Sequence, residues 1–443
     1  MIAYLFSTLF LIGPEYKSTH DYMFSKDSIL LPENAGVKTG FAWGVLAYDS
    51  DMGLRYGAVV NLFDYGKGHN YPDYAQYARI RLYNSTKGTS NYSLLYDSEK
   101  IFPGSHLTFE ASFIEDIALD FYGFNGIKSV YSSEFIDPEH TSYINKFFYS
   151  YHRKLLRLRL DLQTYLGSKD FRLYSGITFN QYGLSDIDYS RFDIPDGSGG
   201  NNFSNTTLYQ KYTDWGVFPE EEKNGGKLLT ISAGLIYDTR HSKINCKGGT
   251  WFESYFVVSP PSISSSFFIK QITTFRHYMH WTKLNAVFNY RISSQQKIAG
   301  KIPFYALSTY YSSLENQDGM GGAFTLRGIH RNRIISDGHI SGNFEIRKNL
   351  LTFQFLNINW ETDLSIFTDQ IMVTSDYSFR KDNIPAEYQL KLLTDKKQDI
   401  TSAYGIGIYL IYNSNNVISV NYGIAPNSQL GDKGLYIVSG FLF

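Results

Sequence analysis

Apolar and polar side chains alternate with period two through most of this chain, and no helical periodicity persists. The clearest stretch is Lys154 to Thr164. Leu156, Leu158, Leu160 and Leu162 fall on one side; Arg157, Arg159, Asp161 and Gln163 fall on the other. Successive side chains of a strand point to opposite sheet faces, so this segment carries one greasy face and one charged face. Leu54, Tyr56, Ala58, Val60 and Leu62 alternate in the same way with Arg55, Gly57, Val59 and Asn61. Ile80 and Leu82 alternate with Arg79, Arg81 and Tyr83. A soluble sheet with its core on one side would show the same alternation.

The pattern predicts strands over 39–49, 53–64, 75–84, 90–98, 105–115, 149–165, 169–182 and 228–238, then 249–258, 265–278, 282–294, 338–356, 361–376, 403–412, 416–423 and 433–443. The total is even, as a closed antiparallel barrel in a bacterial outer membrane requires. The connections give a sharper test. Such barrels have short periplasmic turns and longer extracellular loops. The long gaps, 116–148, 183–227, 295–337 and 377–402, all follow odd-numbered strands, so they fall on one side if the first strand starts in the periplasm. Hydrocarbon offers no water to backbone groups, so the strands of such a sheet must pair all the way round.

The expected fold is therefore all-β: a closed antiparallel transmembrane barrel of about 16 strands over 39–443. Residues 1–38 form a lead-in, and its apolar stretch from Met1 to Gly13 is read as an incomplete export signal, lacking a preceding Lys or Arg and a small-residue cleavage site, with a mature N-terminal strand as the alternative. The chain closes on GLYIVSGFLF, where Leu435, Ile437, Phe441 and Phe443 are expected to share one face with Ser439 interrupting it. An aromatic end on an alternating strand resembles the signal that outer-membrane barrels present to their assembly machinery; the plain alternative is an ordinary terminal strand.

Composition sharpens this picture in three places. Aromatic residues reach 17%, with 37 Tyr and 33 Phe, and amphipathic rings suit the two water–lipid boundaries of a barrel. A net charge of −1 gives no electrostatic footprint for nucleic acid. The single cysteine, Cys246, excludes an internal disulfide and a cysteine-based metal site. No apolar run reaches the roughly 18 residues of a membrane helix.

One segment carries a family resemblance. Gly319 to Arg333 reads GMGGAFTLRGIHRNR, and its core, Leu326-Arg327-Gly328-Ile329, resembles the loop motif of the BamA/TamA-like outer-membrane barrels, also called the bacterial surface antigen family. Gly234–Arg240 with Gly248–Trp251, Asn343–Arg347 and Phe367–Asp369 resemble further segments of that family, in the same order. Two positions depart from its pattern: Ile371 stands where glycine is expected, and Cys246 near where proline is usual. The resemblance implies that the sixth extracellular loop folds into the lumen and that Arg327 meets Glu345 and Asp369 on the inner wall, with Gly328 granting the turn. Glu345 alternates with Phe344 and Ile346, so its face should be luminal while theirs meets lipid. The 38 residues before the first expected strand are too few for a POTRA domain, so the expected relative is one without them.

No catalytic constellation emerges. Gly338-His339-Ile340-Ser341-Gly342 has the wrong spacing for a nucleophile elbow, and neither a zinc-protease helix motif nor a phosphate-binding loop occurs. His277 and His280 are read as interfacial histidines, since an odd spacing puts them on opposite strand faces. Glu220-Glu221-Glu222 is read as a solvated loop rather than a cation site. No enzyme activity, cofactor or metal is expected. Two functional readings remain: a barrel that assists insertion or translocation of client proteins, working with a partner protein or as a homodimer, and a passive pore or structural barrel displaying long loops. A soluble Tyr-rich β protein is a third.

Overall fold

Alternation becomes a wall. The computed structural model describes residues 37–66, 73–192, 206–261, 264–355, 358–412 and 416–443. Its strands are β1 (Val37–Asp49), β2 (Gly53–Asp64), β3 (Gln76–Ser85), β4 (Thr89–Ser98), β5 (Ser105–Asp120), β6 (Ser150–Leu166), β7 (Ser168–Ser185), β8 (Gly225–Asp238) and β9 (Gly249–Ser259). There follow β10 (Phe268–Trp281), β11 (Ala286–Gly300), the two-residue β12 (Thr309–Tyr310) and β13 (Gln317–Asp318), β14 (Gly338–Phe355), β15 (Ile358–Ser375), β16 (Thr401–Tyr412), β17 (Asn416–Ile424) and β18 (Lys433–Ser439). Sixteen of them close an antiparallel barrel in chain order; β12 and β13 pair separately inside the β11–β14 connection. No helix among the described residues is long and apolar enough to cross a membrane.

The faces divide as period two dictates. Leu156, Leu158 and Leu160 stand 38–44% exposed on the outside, while Arg157, Arg159 and Asp161 are 1–2% exposed within. Inward charge is met by neighbours: Arg157 reaches Asp318 at 2.8 Å and Arg153 reaches Asp116 at 2.7 Å. The outer face needs an apolar surrounding, because such a continuous greasy belt would be costly in water.

The four long connections, 121–149, 186–224, 301–337 and 376–400, follow β5, β7, β11 and β15 and emerge at one end. They do not stand free. Phe121, Phe124, Phe148, Tyr212, Phe218, Phe304 and Tyr377 share one buried aromatic core that caps the barrel mouth. Phe218 stacks on Phe304 at 4.1 Å, and Phe124 packs on Tyr377 at 4.8 Å. The cap also holds α1 (Leu208–Asp214), whose Thr207 hydroxyl accepts a hydrogen bond from the Gln210 amide at 3.1 Å, and α2 (Ala386–Leu392). Glu222 is buried there, accepting from Lys301 Nζ at 2.8 Å and the Phe304 amide at 3.0 Å. The acidic run is thus anchored at its last residue, not wholly solvated.

Most strand bounds shift by a few residues, β5 running on to Asp120 and β11 to Gly300, and three departures have a physical reading. β10 runs on to Trp281 and β11 begins only at Ala286, because their turn is built on Asn285 at φ +47°, without glycine or proline to mark it. The lead-in 1–38 and its Met1–Gly13 stretch lie outside the described residues, apart from positions 37 and 38, which belong to β1. The third difference is the terminal strand, which stops at Ser439 instead of running to 443. Gly440 adopts φ +99°, a conformation glycine reaches without strain, and the chain turns inward. Phe441 packs on Tyr409 at 5.0 Å with the Arg347 guanidinium 4.0 Å from its ring centre. Phe443 is buried beside Cys246 and Tyr278, with the Arg291 guanidinium at 5.3 Å. Phe441 and Phe443 therefore do not share the outward face of Leu435 and Ile437; luminal guanidinium groups hold their rings instead.

Leu158→Arg places a charge on the outer belt and should cost about 2–4 kcal/mol at the membrane midplane. Denaturant titration of the barrel refolded into vesicles measures it; a cost near zero would reverse the assignment of faces.

Candidate functional site

The connection between β11 and β14 does not remain at the mouth. Its glycines let it fold tightly: Gly319, Gly321, Gly322 and Gly328 all take positive φ, between +81° and +113°. A side chain at Gly328 would meet the Ile424 amide nitrogen at 2.9 Å, so the close approach to β17 demands glycine. Met320, Leu326, Ile329 and Ile334 then bury against Ile371, Val373, Ala403 and Leu430, an apolar patch within a polar bore.

That packing delivers Arg327, 1% exposed, to the inner wall. Its Nε and Nη2 donate to the two oxygens of Asp369 on β15, at 3.0 and 3.1 Å, and its own amide donates to Asp369 Oδ2 at 2.9 Å. Nη1 donates to Glu345 on β14 and Asn421 on β17, both at 3.1 Å, and lies 3.4 Å from Tyr409 Oη on β16. The guanidinium carbon sits 3.3 Å from the centre of the Phe367 ring, which serves as a floor. The Gly328 amide donates to Tyr436 Oη on β18 at 2.9 Å. One dipeptide therefore touches the last five strands of the barrel. Arg327, Gly328, Glu345 and Asp369 are brought together; Phe441 and Phe443 lie nearby, through Tyr409 and Arg347.

Several partners were not visible in the sequence. Arg347 Nε donates to the second Glu345 oxygen at 2.9 Å, and Asn343 Nδ2 donates to Asp369 Oδ1 at 2.9 Å and to the Thr325 carbonyl. The shared face of Asn343, Glu345 and Arg347 on β14 was the available signal. Tyr409, Asn421 and Tyr436 carried none beyond an inward position.

The same loop also reaches across to the first strands. Arg331 Nη1 donates to Asp116 on β5 at 3.1 Å, and its amide lies 3.4 Å from Asp51 in the β1–β2 turn. Asn332 Nδ2 donates to the Asp120 carbonyl at 3.3 Å. Arg333 gives its guanidinium to three backbone carbonyls, Gln429, Gly126 and Ser129, at 2.5–2.8 Å. Between these two sides lies the barrel's weakest junction. Among the described residues β1 pairs with β18 at two positions, Tyr48↔Ile437 and Asp49↔Tyr436, with Ser50 exchanging hydrogen bonds with Leu435 beyond them, whereas β1 pairs with β2 along its whole length.

The other candidates stay apart. His277 faces outward, bonded to Thr250 Oγ1 at 2.8 Å, and His280 is exposed at the strand end. Among the described residues no three His, Cys, Asp or Glu side chains gather as metal ligands would.

No family profile and no curated protein matches the chain in sequence. Among solved structures, the fold is similar to BamA from Haemophilus ducreyi lacking POTRA domains 1–3, at 14% identity and a TM-score of 0.52 over 91% of this chain and 70% of that one. It is similar also to CdiB from Escherichia coli, at 13% identity and a TM-score of 0.53 over 92% of this chain and 63% of that one. At such identities the likeness is one of fold.

Two predictions follow from the geometry of the loop. Arg327→Ala strands the Asp369 carboxylate in the bore and should destabilise the barrel by about 3–5 kcal/mol; Arg327→Lys should recover only part, since an ammonium cannot fork across both oxygens. Equal unfolding midpoints for the parent chain and Arg327→Ala would remove the pair's importance. The second concerns Asp51, whose carboxyl is pushed up to about 8 by burial and then by the neighbouring Asp49 and Asp120 charges. Between roughly pH 4 and 8 the folded chain then holds a proton that the unfolded chain has released, so this group's contribution to stability falls as pH rises through that window. Unfolding midpoints measured from pH 5 to 9 should decline more steeply for the parent than for Asp51→Asn; parallel curves would refute this.

Proposed function

We propose that this barrel resides in a bacterial outer membrane and assists the insertion or translocation of client proteins by opening between β1 and β18. The observation that carries the reading is the two-pair junction between those strands, set beside a loop that ties β14 to β18 together from within. A barrel built only to stay shut gains from a fully paired seam, since every unpaired backbone group at membrane depth is costly. Here the last strands are held as a block by Arg327, so a gap can form beside them without dissolving the wall. The fold shared with BamA and CdiB supports the same reading. We assign the chain no catalytic role. Client proteins would be delivered by a partner protein or a second copy of the chain, and Phe441 and Phe443 would serve as an assembly signal while the chain is still unfolded.

A cysteine pair at Tyr48 and Ile437, in a chain carrying Cys246→Ser, tests the seam directly. Reconstituted into vesicles and oxidised, this variant should fail to accelerate insertion of an unfolded outer-membrane barrel, and reductant should restore it. Equal acceleration in both redox states would rule out lateral opening. The passive-pore reading predicts instead a steady single-channel conductance; the aromatic cap and the luminal loop predict a nearly closed barrel that Arg327→Ala opens.

A further inference from the structure

Beneath the loop the bore keeps a cavity of about 440 Å³, walled by β2 to β6, β10, β11 and the chain end. Nine cationic side chains line it against three side-chain carboxylates, Glu110, Glu315 and Asp318. Six of the cations are matched. Arg79 and Arg81 share Glu315 at 2.8 and 3.6 Å, and Arg157 has Asp318 at 2.8 Å. Arg240 has Asp238, Lys243 has Glu99 and Arg331 has Asp116, at 2.7–3.1 Å. Three are not. Among the described residues Arg55, Arg276 and Arg291 form no ion pair within 4.0 Å.

Their placement makes the imbalance pointed. Arg276 and Arg291 stand directly opposite each other on β10 and β11, 6% and 3% exposed. Like charges facing each other across a strand pair destabilise it. Arg291 donates to Asn343 Oδ1 at 2.9 Å and to the Leu442 and Thr325 carbonyls at 3.3 and 3.5 Å. Among the described residues Arg276 has only Ser312 Oγ at 3.5 Å, and its buried Nε has no partner. On the opposite wall Arg55, 6% exposed, leaves both Nε and Nη2 unpartnered, with only the rings of Tyr83 and Phe324 beside it, at 5.6 and 5.9 Å. A buried, unpaired guanidinium is expensive, and three around one space call for a counter-charge.

We infer that this cavity is a binding site for a phosphate group, held by Arg55 from one wall and by Arg276 and Arg291 from the other. Guanidinium forks match both carboxylates and phosphates. A carboxylate presents two oxygens in one plane, whereas a phosphate presents three directions at once, as donors on facing walls require. The volume falls in the range of small-molecule sites, and Tyr278, Tyr310 and Phe324 offer apolar surface to the organic part of an ester.

The test uses the full chain folded in an uncharged detergent at low ionic strength, with the thermal midpoint read by heat-modifiability on gels. Inorganic pyrophosphate should raise the midpoint saturably, as a ligand selective for the folded state must, while glutarate at equal ionic strength should not. Arg276→Gln should keep or raise the ligand-free midpoint, because it removes a like-charge contact, and should weaken the pyrophosphate response at least tenfold in apparent affinity. Arg55→Gln, from the other wall, should weaken it likewise. Saturation by glycerol phosphate would mark a soluble ester as the ligand; a response confined to vesicles of phosphatidic acid, absent with phosphatidylcholine, would mark a lipid headgroup. An absent or non-saturable response, an equal response to glutarate, an undiminished response in both variants, or a lower ligand-free midpoint for Arg276→Gln would each overturn the assignment.

Discussion

A guanidinium buried inside a barrel is costly unless its charge is met, and the way Arg327 is met organises this molecule. Its partners come from β14, β15, β16 and β17, and the next residue adds β18. Strand pairing is local; it joins each strand to two neighbours and carries nothing further. The Arg327 contacts are different in kind. They fasten five consecutive strands to one point on a loop, so that part of the wall shares a fate. The Phe367 ring beneath the guanidinium and the glycine at 328 belong to the same requirement, one supplying a face for the cation and the other removing the side chain that would push it away.

The loop brings a second consequence. Its apolar residues fill the bore with a patch that water would otherwise occupy, and the other long connections close over it as an aromatic core. The mouth and the loop-filled part of the lumen are thus packed interiors, with a charged cavity left beneath them. The molecule is greasy outside, salt-bridged along its inner wall and apolar again near its axis. That layering accounts for the unusual share of fully buried arginines, Arg153, Arg157, Arg159, Arg327 and Arg333 among them.

How much of this could be read from sequence follows from which signals are local. Period two is local, and it located every barrel strand; Lys154 to Thr164 needed nothing beyond its own alternation. Loop parity depended only on lengths. The meeting of Arg327 with Glu345 and Asp369 was legible through resemblance, because contacts spanning 18 and 42 residues leave no periodic trace. The rest was hidden for the same reason. Nothing in GLYIVSGFLF says that Gly440 turns the chain inward, since the attraction lies in Arg347 and Arg291, far away in sequence. Tyr409, Asn421 and Tyr436 look like any inward polar residue until the loop arrives. Glu222 looked solvated because the cap that buries it is built from four separate connections.

The distribution of contacts along the loop decides which side of the seam is free. On the side of the last strands, the wall offers two carboxylates and a tyrosine hydroxyl, which accept from the Arg327 guanidinium and two loop amides, all buried. On the side of the first strands it has a long approach to Asp51 in the β1–β2 turn, Arg331 on Asp116 and Asn332 on one carbonyl of β5, Glu315 shared by Arg79 and Arg81 on β3, and Asp318 held by Arg157 on β6. Asp51 is raised to a pKa of about 8, so at neutral pH it is largely uncharged and holds Arg331 only weakly. The loop is therefore fastened on both sides of the junction, and its hold is weakest at the β1–β2 turn itself. Separation of β1 from β18 would leave the loop with β14 to β18 and carry that turn away from it, while the ion pairs of Glu315, Asp318 and Arg331 keep it fastened to β3, β6 and β5.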